Sequence, residues 1–244
     1  MPESQPHILV TGATRGIGAA VLKSLTERGA KVVGHGTRAA PGILAADLSQ
    51  AGAGDRLWDA ALEALDGRID VLINNAGVFE AIAVDAPDAD WQASWTRTLQ
   101  INLQGAADLC RRMVLHAQGR DADPAGLRGR IVNVASRAAY RGDSPAHWHY
   151  AASKAGMVAM TKSIARAYAG QGLAAFAICP GYVMTGMAED YLASRGGDKL
   201  LADIPLGRVA QPDEVASVAT YLALDAPASM TGAVLDVNGA SFVR

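Results

Sequence analysis

Short aliphatic runs alternate with longer amphipathic runs along nearly the whole chain, and this alternation limits its possible folds more than any other feature. The aliphatic runs cover residues 8–11, 31–34, 43–45, 71–74, 130–135, 174–178 and 234–237. Continuous hydrophobic strands separated by helix-length segments are typical of a parallel sheet covered by helices on both faces. The pattern predicts a doubly wound α/β fold with a seven-stranded parallel sheet.

The intervening amphipathic runs predict helices over residues 16–28, 54–65, 91–118, 148–169, 188–203 and 212–224. One connection differs, because residues 35–42 contain Gly36, Pro41 and Gly42 and are too few for a crossover helix. We expect this helix to be missing or reduced to a turn. The 244 residues fit one core, so we predict a single domain over residues 1–244.

Composition argues against several classes of protein. The net charge is −2 and no dense run of lysine and arginine is present, which disfavours nucleic acid as a partner. Cys110 and Cys179 lie in apolar surroundings without metal-ligand spacing, so we interpret them as buried hydrophobic residues and expect no metal. No export signal or membrane-spanning stretch is visible, so we predict a cytoplasmic protein without a membrane partner.

A glycine-rich turn, residues 11–18 (Thr-Gly-Ala-Thr-Arg-Gly-Ile-Gly), joins the first predicted strand to the first helix. Gly12 permits a tight turn, Gly16 allows the backbone to approach a pyrophosphate, and Gly18 lets the helix pack on the strand. The helix N-terminus offers free N–H groups to an anion. The spacing is G-x-x-x-G-x-G rather than G-x-G-x-x-G, so by itself the glycine turn is equally compatible with an ordinary strand–helix connection.

Charge around the second strand indicates which dinucleotide would bind. An acidic residue there holds the ribose 2′-hydroxyl of NAD(H), but residues 34–38 contain no carboxylate. Arg15 and Arg38 are placed to bind a 2′-phosphate with charge-assisted hydrogen bonds. The sequence therefore favours NADP(H) over NAD(H), the alternative being that both arginines are solvated surface residues.

Tyr150 and Lys154 lie at positions i and i+4 of a predicted helix, on one face. A free tyrosine titrates near pH ~10, and a cation a few ångströms away supplies about the 4 kcal/mol that poises it near neutrality. Such a pair can transfer protons, although the spacing alone is also compatible with an incidental surface pair.

Taken together, these motifs resemble the short-chain dehydrogenase/reductase family over residues 8–239. The matching positions, in order, are the glycine turn, Asp47, residues 74–77 (Asn-Asn-Ala-Gly), Asn102, Ser136, Tyr150 with Lys154, and Pro180-Gly181 leading to Thr185. The resemblance implies a Rossmann-type fold and an NADP(H)-dependent oxidoreductase that transfers a hydride between the nicotinamide and a carbonyl or secondary alcohol.

The resemblance also implies four catalytic roles. Tyr150 would be the general acid/base, and Lys154 would lower its pKa and hold the nicotinamide ribose. Ser136 would donate a hydrogen bond to the substrate oxygen. Asn102 would anchor a water that connects Lys154 to solvent.

Further residues are implied to contact the cofactor, besides Tyr150, Lys154 and Arg38. They are Gly12, Thr14, Arg15, Gly16, Ile17 and Gly18 in the glycine turn, Asp47 and Leu48 at the adenine, Asn75, Ala76 and Gly77 at the adenosine ribose, and Pro180, Gly181, Val183 and Thr185 towards the carboxamide. Residues 138–149 and a lid over about 181–205 would form the substrate pocket. His147, Trp148 and His149 could line that pocket or serve as packing, surface or capping residues.

The substrate stays open at this stage. The chain loosely resembles the 3-oxoacyl-[acyl-carrier-protein] reductase branch, so an acyl thioester is one candidate. The short connection after the second strand and the lack of a basic docking cluster argue against that branch. The family also implies a homodimer or homotetramer that pairs helices 91–118 and 148–169. A catalytically silent dinucleotide sensor or scaffold is the alternative from another class.

Overall fold

A computed structural model describes residues 5–185 and 197–244. In these residues seven strands form one parallel sheet in the order β3-β2-β1-β4-β5-β6-β7. The strands are β1 (His7–Val10), β2 (Lys31–Gly36), β3 (Ile43–Ala45), β4 (Val71–Asn74), β5 (Gly129–Val134), β6 (Leu173–Pro180) and β7 (Val234–Val237). The predicted seven-stranded, doubly wound α/β fold is confirmed.

Helices connect these strands and cover both faces of the sheet. In the described ranges they are α1 (Gly16–Glu27), α2 (Ala53–Ala64), α3 (Asp88–Leu99), α4 (Gly105–Gln118), α5 (Ala138–Arg141), α6 (Trp148–Tyr168), α7 (Gly197–Ala202) and α8 (Pro212–Leu224). The single helix predicted over residues 91–118 begins at Asp88 and contains a π-helical turn, Gln100–Gln104. The helix predicted over residues 188–203 lies partly outside the described residues. Among the helices in those ranges, none has the length and apolar character needed to cross a membrane.

Alternate side chains of each central strand enter the two halves of the core. Ile8 and Val10 of β1 pack with α1 and α8 on one face, whereas Leu9 packs with Trp58 of α2 and Met113 of α4 on the other. All of these residues are buried, as expected for a parallel sheet with both faces covered. The core therefore fixes the strand ends that carry the site.

The connection between β2 and β3 is a short turn without a crossover helix, as the sequence predicts. The turn suffices because β3 pairs only with the last residues of β2, from Gly34 opposite Ile43 to Gly36 opposite Ala45. A Cβ on Gly34 would lie 2.5 Å from the Ile43 side chain and 2.7 Å from that of Leu22. The absence of a side chain at position 34 therefore lets β3 and α1 pack closely against β2.

Candidate active site

The segments that follow four neighbouring strands meet at the carboxyl end of the sheet. They are the glycine turn after β1, residues 75–77 after β4, Ser136 after β5, and residues 180–181 at the end of β6. Chain order reverses between β1 and β4, which is where ligands bind in open α/β sheets. Helix α6 brings Tyr150 and Lys154 to this edge from its first two turns.

Tyr150 is half-buried, and its phenol lies near enough to the Ser136 side chain for the serine to affect the phenol's pKa. Burial raises the pKa of the Tyr150 phenol to about 12, and the interaction with the Ser136 side chain opposes this rise only in part. Ser136 is itself buried, and its hydroxyl oxygen accepts the N–H of Ala138 at 3.1 Å. The structure therefore brings together the predicted general acid/base and the predicted hydrogen-bond donor to the substrate.

Lys154 is buried beneath Tyr150 and donates from Nζ to the Val134 carbonyl at 2.9 Å. Its Nζ lies 5.9 Å from the centroid of the Tyr150 ring. Burial lowers the pKa of Lys154 to about 8. The ammonium is directed at the Val134 carbonyl and burial is the largest influence on the pKa of the Tyr150 phenol, so the lowering of that pKa by Lys154 stays a prediction.

Asn102 lies in the π-helical turn, fully buried, with its amide engaged by the backbone of the segment after β4. Its Oδ1 accepts the Val78 N–H at 2.8 Å, and its Nδ2 donates to the Val78 carbonyl at 3.0 Å and to Ser153 Oγ at 3.2 Å. Both amide hydrogens are therefore used, and one lone pair of Oδ1 is left for the predicted water. A Cβ on Gly77 would lie 3.3 Å from Asn102 Oδ1 and 3.5 Å from Lys154 Nζ, so these two polar atoms flank the same position.

The glycine turn is packed so tightly that side chains are excluded from two of its positions. A Cβ on Gly18 would lie 2.1 Å from the Gly12 carbonyl oxygen, and one on Gly12 would lie 2.8 Å from Ala76 Cα. Within the described residues no side chain caps α1, and its first turn carries no acidic residue. The backbone N–H groups at this helix end are thus available to a phosphate, and the turn fits a dinucleotide.

Asn75 holds the glycine turn in place. Its Nδ2 donates to the carbonyls of Thr11 (3.1 Å) and Gly12 (3.0 Å). In return, Thr11 Oγ1 accepts the backbone N–H groups of Asn75 and Ala76, each at 3.0 Å. The predicted contact between Asn75 and the adenosine ribose is therefore joined by a structural role that sequence reasoning did not foresee.

Two cations and a neutral imidazole lie at the carboxyl end of β2, where the sequence predicts a 2′-phosphate to bind. Arg15 and Arg38 are exposed, and neither side chain forms an ion pair or hydrogen bond within the described part of the chain. His35 is buried between the N–H of Gly12 (Nδ1, 3.2 Å) and the carbonyl of Ala46 (Nε2, 3.1 Å). Because Nδ1 accepts and Nε2 donates, and because burial lowers the pKa of His35, the imidazole is neutral. The free positive charge at this corner belongs to the two arginines.

The remaining predicted cofactor residues lie around the same edge. Asp47 is exposed and accepts the Ser49 N–H at 3.0 Å, and its hydrogen bonds with Ser49 lower the pKa of its carboxyl. Leu48 and Val183 are buried. A Cβ on Gly16 would lie 3.0 Å from Thr185 Cγ2, which brings the segment after β6 onto the glycine turn. Of the predicted lid over residues 181–205, residues 186–196 lie outside the described part.

Phe79 is an aromatic neighbour of Tyr150 that the sequence reasoning missed. It is 39% exposed, stacks on the His147 imidazole with centroids 3.9 Å apart, and meets the Tyr150 ring edge-on at 4.8 Å. The signal in the sequence that could have indicated Phe79 is the presence of an aromatic residue two positions after residues 74–77. His147 thus belongs to the wall beside Tyr150.

The other two residues of this segment pack elsewhere. Trp148 contacts Trp91 edge-on with centroids 5.6 Å apart, and Trp95 lies 5.8 Å from the His149 ring. His149 is fully buried, and its Nε2 lies 3.1 Å from Ser94 Oγ. Both residues therefore fix α6 against α3, in keeping with the packing alternative.

Comparison with known proteins gives consistent matches along the chain. A family profile described as enoyl-(acyl carrier protein) reductase matches residues 12–240. D-threitol dehydrogenase of Mycolicibacterium smegmatis is 36% identical over 97% of this chain and 92% of its own length. The 3-oxoacyl-[acyl-carrier-protein] reductase of Synechocystis sp. is 34% identical over 95% of this chain and 94% of its own. The solved TT0495 protein of Thermus thermophilus is 28% identical with a TM-score of 0.85, covering 96% of this chain and 97% of that one.

Proposed function

Because the chain belongs to the short-chain dehydrogenase/reductase family, we propose that it is an NADP(H)-dependent oxidoreductase acting on a carbonyl or secondary alcohol. One observation carries the proposal. Tyr150, with the Ser136 side chain and the Lys154 ammonium nearby, lies at the sheet edge that also carries the glycine turn. A proton donor and a dinucleotide cradle side by side are the two parts that hydride transfer requires.

In this mechanism each side chain acts on the substrate oxygen or on the proton given to it. The Tyr150 hydroxyl donates its proton to the carbonyl oxygen during reduction and recovers it during alcohol oxidation. The Ser136 hydroxyl donates a hydrogen bond to the same oxygen as negative charge develops there. Lys154, when protonated, stabilises the phenolate that Tyr150 leaves behind. When bound, the nicotinamide supplies or accepts the hydride.

The proton is returned to Tyr150 along a polar path beneath it. Asn102 Oδ1 and Lys154 Nζ flank Gly77, and the free lone pair of Oδ1 is the group that would hold a water between Lys154 and solvent. Ser153 links the Asn102 amide to the Tyr150 backbone carbonyl, since its hydroxyl donates there at 2.7 Å. Asn102 therefore positions this path in addition to its bonds with Val78.

The proposed choice of NADP(H) rests on charge at the carboxyl end of β2. Arg15 and Arg38 have no internal partner among the described residues, and β2 ends in His35 and Gly36 rather than a carboxylate. A Cβ on Gly36 would lie 2.5 Å from Thr14 Cγ2, so a larger residue there would require the Thr14 side chain in the glycine turn to move. The corner thus favours a phosphate over a free ribose hydroxyl.

Relatives suggest two kinds of substrate. Several are named 3-oxoacyl-[acyl-carrier-protein] or acetoacetyl-CoA reductases, and others are named D-threitol and L-rhamnose dehydrogenases. A 3-oxoacyl thioester is accordingly one candidate substrate and a polyol another. The proposal requires only that the reacting group be a carbonyl or a secondary alcohol.

A cofactor-consumption screen tests the proposal. The protein is incubated with NADPH or NADH and a panel of ketones, oxo acids, oxoesters and 3-oxoacyl thioesters, and loss of reduced-nicotinamide absorbance is followed. We expect turnover of at least one carbonyl, with kcat/KM higher for NADPH than for NADH. Tight NADPH binding with no turnover of any carbonyl or alcohol would instead identify the sensor or scaffold alternative.

A further inference from the structure

Arg137 directly follows Ser136 and is buried, with only 9% of its side chain exposed. Its backbone N–H donates to the Pro180 carbonyl at 2.9 Å, and its guanidinium lies over the Tyr182 ring at 4.5 Å. Arg137 therefore joins the segment after β5 to the segment after β6. Because Arg137 is the next residue after Ser136, its guanidinium lies within one arginine side-chain length of the Ser136 backbone, at the same edge of the sheet.

Among the residues that the structure describes, the charge around Arg137 is not balanced. Arg137 and Arg141 both donate to Asp203 Oδ2, at 3.1 Å and 2.6 Å. Two guanidiniums thus share one carboxylate, which leaves an excess of one positive charge within the described part of this cluster. The bond to Asp203 is the single side-chain hydrogen bond that Arg137 makes among the described residues, whereas a guanidinium carries five N–H donors.

A buried guanidinium with unused donors, on the residue that follows the predicted oxygen-binding serine, is suited to a planar anion. We propose that Arg137 binds a carboxylate of the substrate, so that the enzyme acts on a small oxo acid or the corresponding hydroxy acid. The inference rests on the proposed hydride-transfer function and adds the class of its substrate. It favours a free acid over the neutral carbonyl-bearing end of a 3-oxoacyl thioester.

Asp203 has the position of an exchangeable counter-ion in this scheme. When a substrate carboxylate pairs with Arg137, Asp203 keeps its hydrogen bond to Arg141, so no carboxylate loses its only partner. Asp203 is exposed and has access to water, which lowers the cost of the exchange. The Tyr182 ring covers one face of the guanidinium and leaves its hydrogen-bonding edge for the anion.

Matched neutral and anionic probes test the proposal. Acetoacetate and 2-oxobutanoate are each compared with their methyl esters and with the N-acetylcysteamine thioester of acetoacetate, using NADPH. We expect kcat/KM to favour the acids, and Arg137→Met to lower kcat/KM for the acids on the order of 10- to 100-fold through KM while changing the esters by less than about 3-fold. Asp203→Asn removes the competing carboxylate and is expected to lower KM for the acids.

Arg28→Gln is the control, because Arg28 also pairs with one aspartate, Asp225, but on the exposed surface and away from the site. It is expected to leave the acid-to-ester ratio unchanged. A wild-type preference for esters or the thioester overturns the inference, as does an equal loss on acids and esters in Arg137→Met. If no probe is turned over, the proposed function fails, and the anion site is then tested separately by following the binding of acetoacetate to the NADPH complex through NADPH fluorescence. Binding by the wild-type protein that is lost in Arg137→Met supports the anion site. Absence of acetoacetate binding to the wild-type protein overturns the anion site.

Discussion

Replacing Asn102 with alanine is expected to lower the free energy of unfolding by about 3 kcal/mol. The substitution removes the hydrogen bonds to the Val78 N–H, the Val78 carbonyl and Ser153 Oγ. A polar group that loses its buried partner costs about 1–3 kcal/mol, and the low end applies to each. Val78 is only half-buried and can recruit water, while Ser153 keeps its bond to the Tyr150 carbonyl.

Urea unfolding followed by far-ultraviolet circular dichroism measures this loss, with both proteins at one concentration because assembly would contribute to stability. The midpoint of thermal unfolding should fall by about 6–12 °C. Thr98→Val is the matched control, since Thr98 is fully buried one turn earlier and its hydroxyl has no partner in the described ranges. That variant should change stability by less than about 1 kcal/mol. A loss of stability below about 1 kcal/mol in Asn102→Ala, or equal losses in both variants, would refute the stabilising role of the Asn102 hydrogen bonds to Val78 and Ser153.

Three further predictions concern the cofactor, the pH profile and the glycine turn. Arg38→Gln should raise KM for NADPH on the order of 10- to 100-fold and leave KM for NADH unchanged. Thermal stability should also be unchanged, because the Arg38 side chain has no internal partner among the described residues. An equal rise in KM for both cofactors would contradict this prediction. Because burial lowers the pKa of Lys154 to about 8, the lysine is charged below that pH and neutral above it. The value of kcat/KM for reduction should therefore fall as pH rises through about 8. A flat profile up to pH ~10 would be incompatible with stabilisation of the Tyr150 phenolate by Lys154. Gly18→Ala places a Cβ 2.1 Å from the Gly12 carbonyl oxygen and should abolish NADPH binding measured by fluorescence. The control Gly170→Ala, whose Cβ would have no atom of another described segment within 4 Å, should bind NADPH normally. Normal NADPH binding by Gly18→Ala would show that the glycine turn tolerates a side chain.

Much of the fold could be predicted because each strand is a continuous aliphatic run, and such runs have few alternatives once helices separate them. The missing helix after β2 could be predicted from the length of the connection, since residues 37–42 are too few for a crossover helix. The π-helical turn Gln100–Gln104 could not be predicted, because the amphipathic pattern continues through it without a break.

The motifs of the site could be predicted from the sequence, but the contacts between their side chains could not. Tyr150 and Lys154 could be placed by their spacing on one helix, whereas the direction of the lysine towards the Val134 carbonyl depends on a strand distant in sequence. The stacking of Phe79 on His147 likewise depends on tertiary structure, because the two residues come from separate segments. Spacing alone also contains no information about burial, which raises the pKa of the Tyr150 phenol to about 12 and opposes the predicted effect of Lys154.

The most direct test of the proposed chemistry is the substitution Tyr150→Phe, which removes one hydroxyl from a half-buried ring and leaves its edge contact with Phe79 possible. Turnover of a carbonyl substrate by the variant is measured together with NADPH binding by fluorescence titration. We predict a fall in kcat of at least about 100-fold with NADPH affinity within about 3-fold of the unmodified protein. Unchanged kcat at unchanged NADPH affinity would contradict the assignment of Tyr150 as the proton donor.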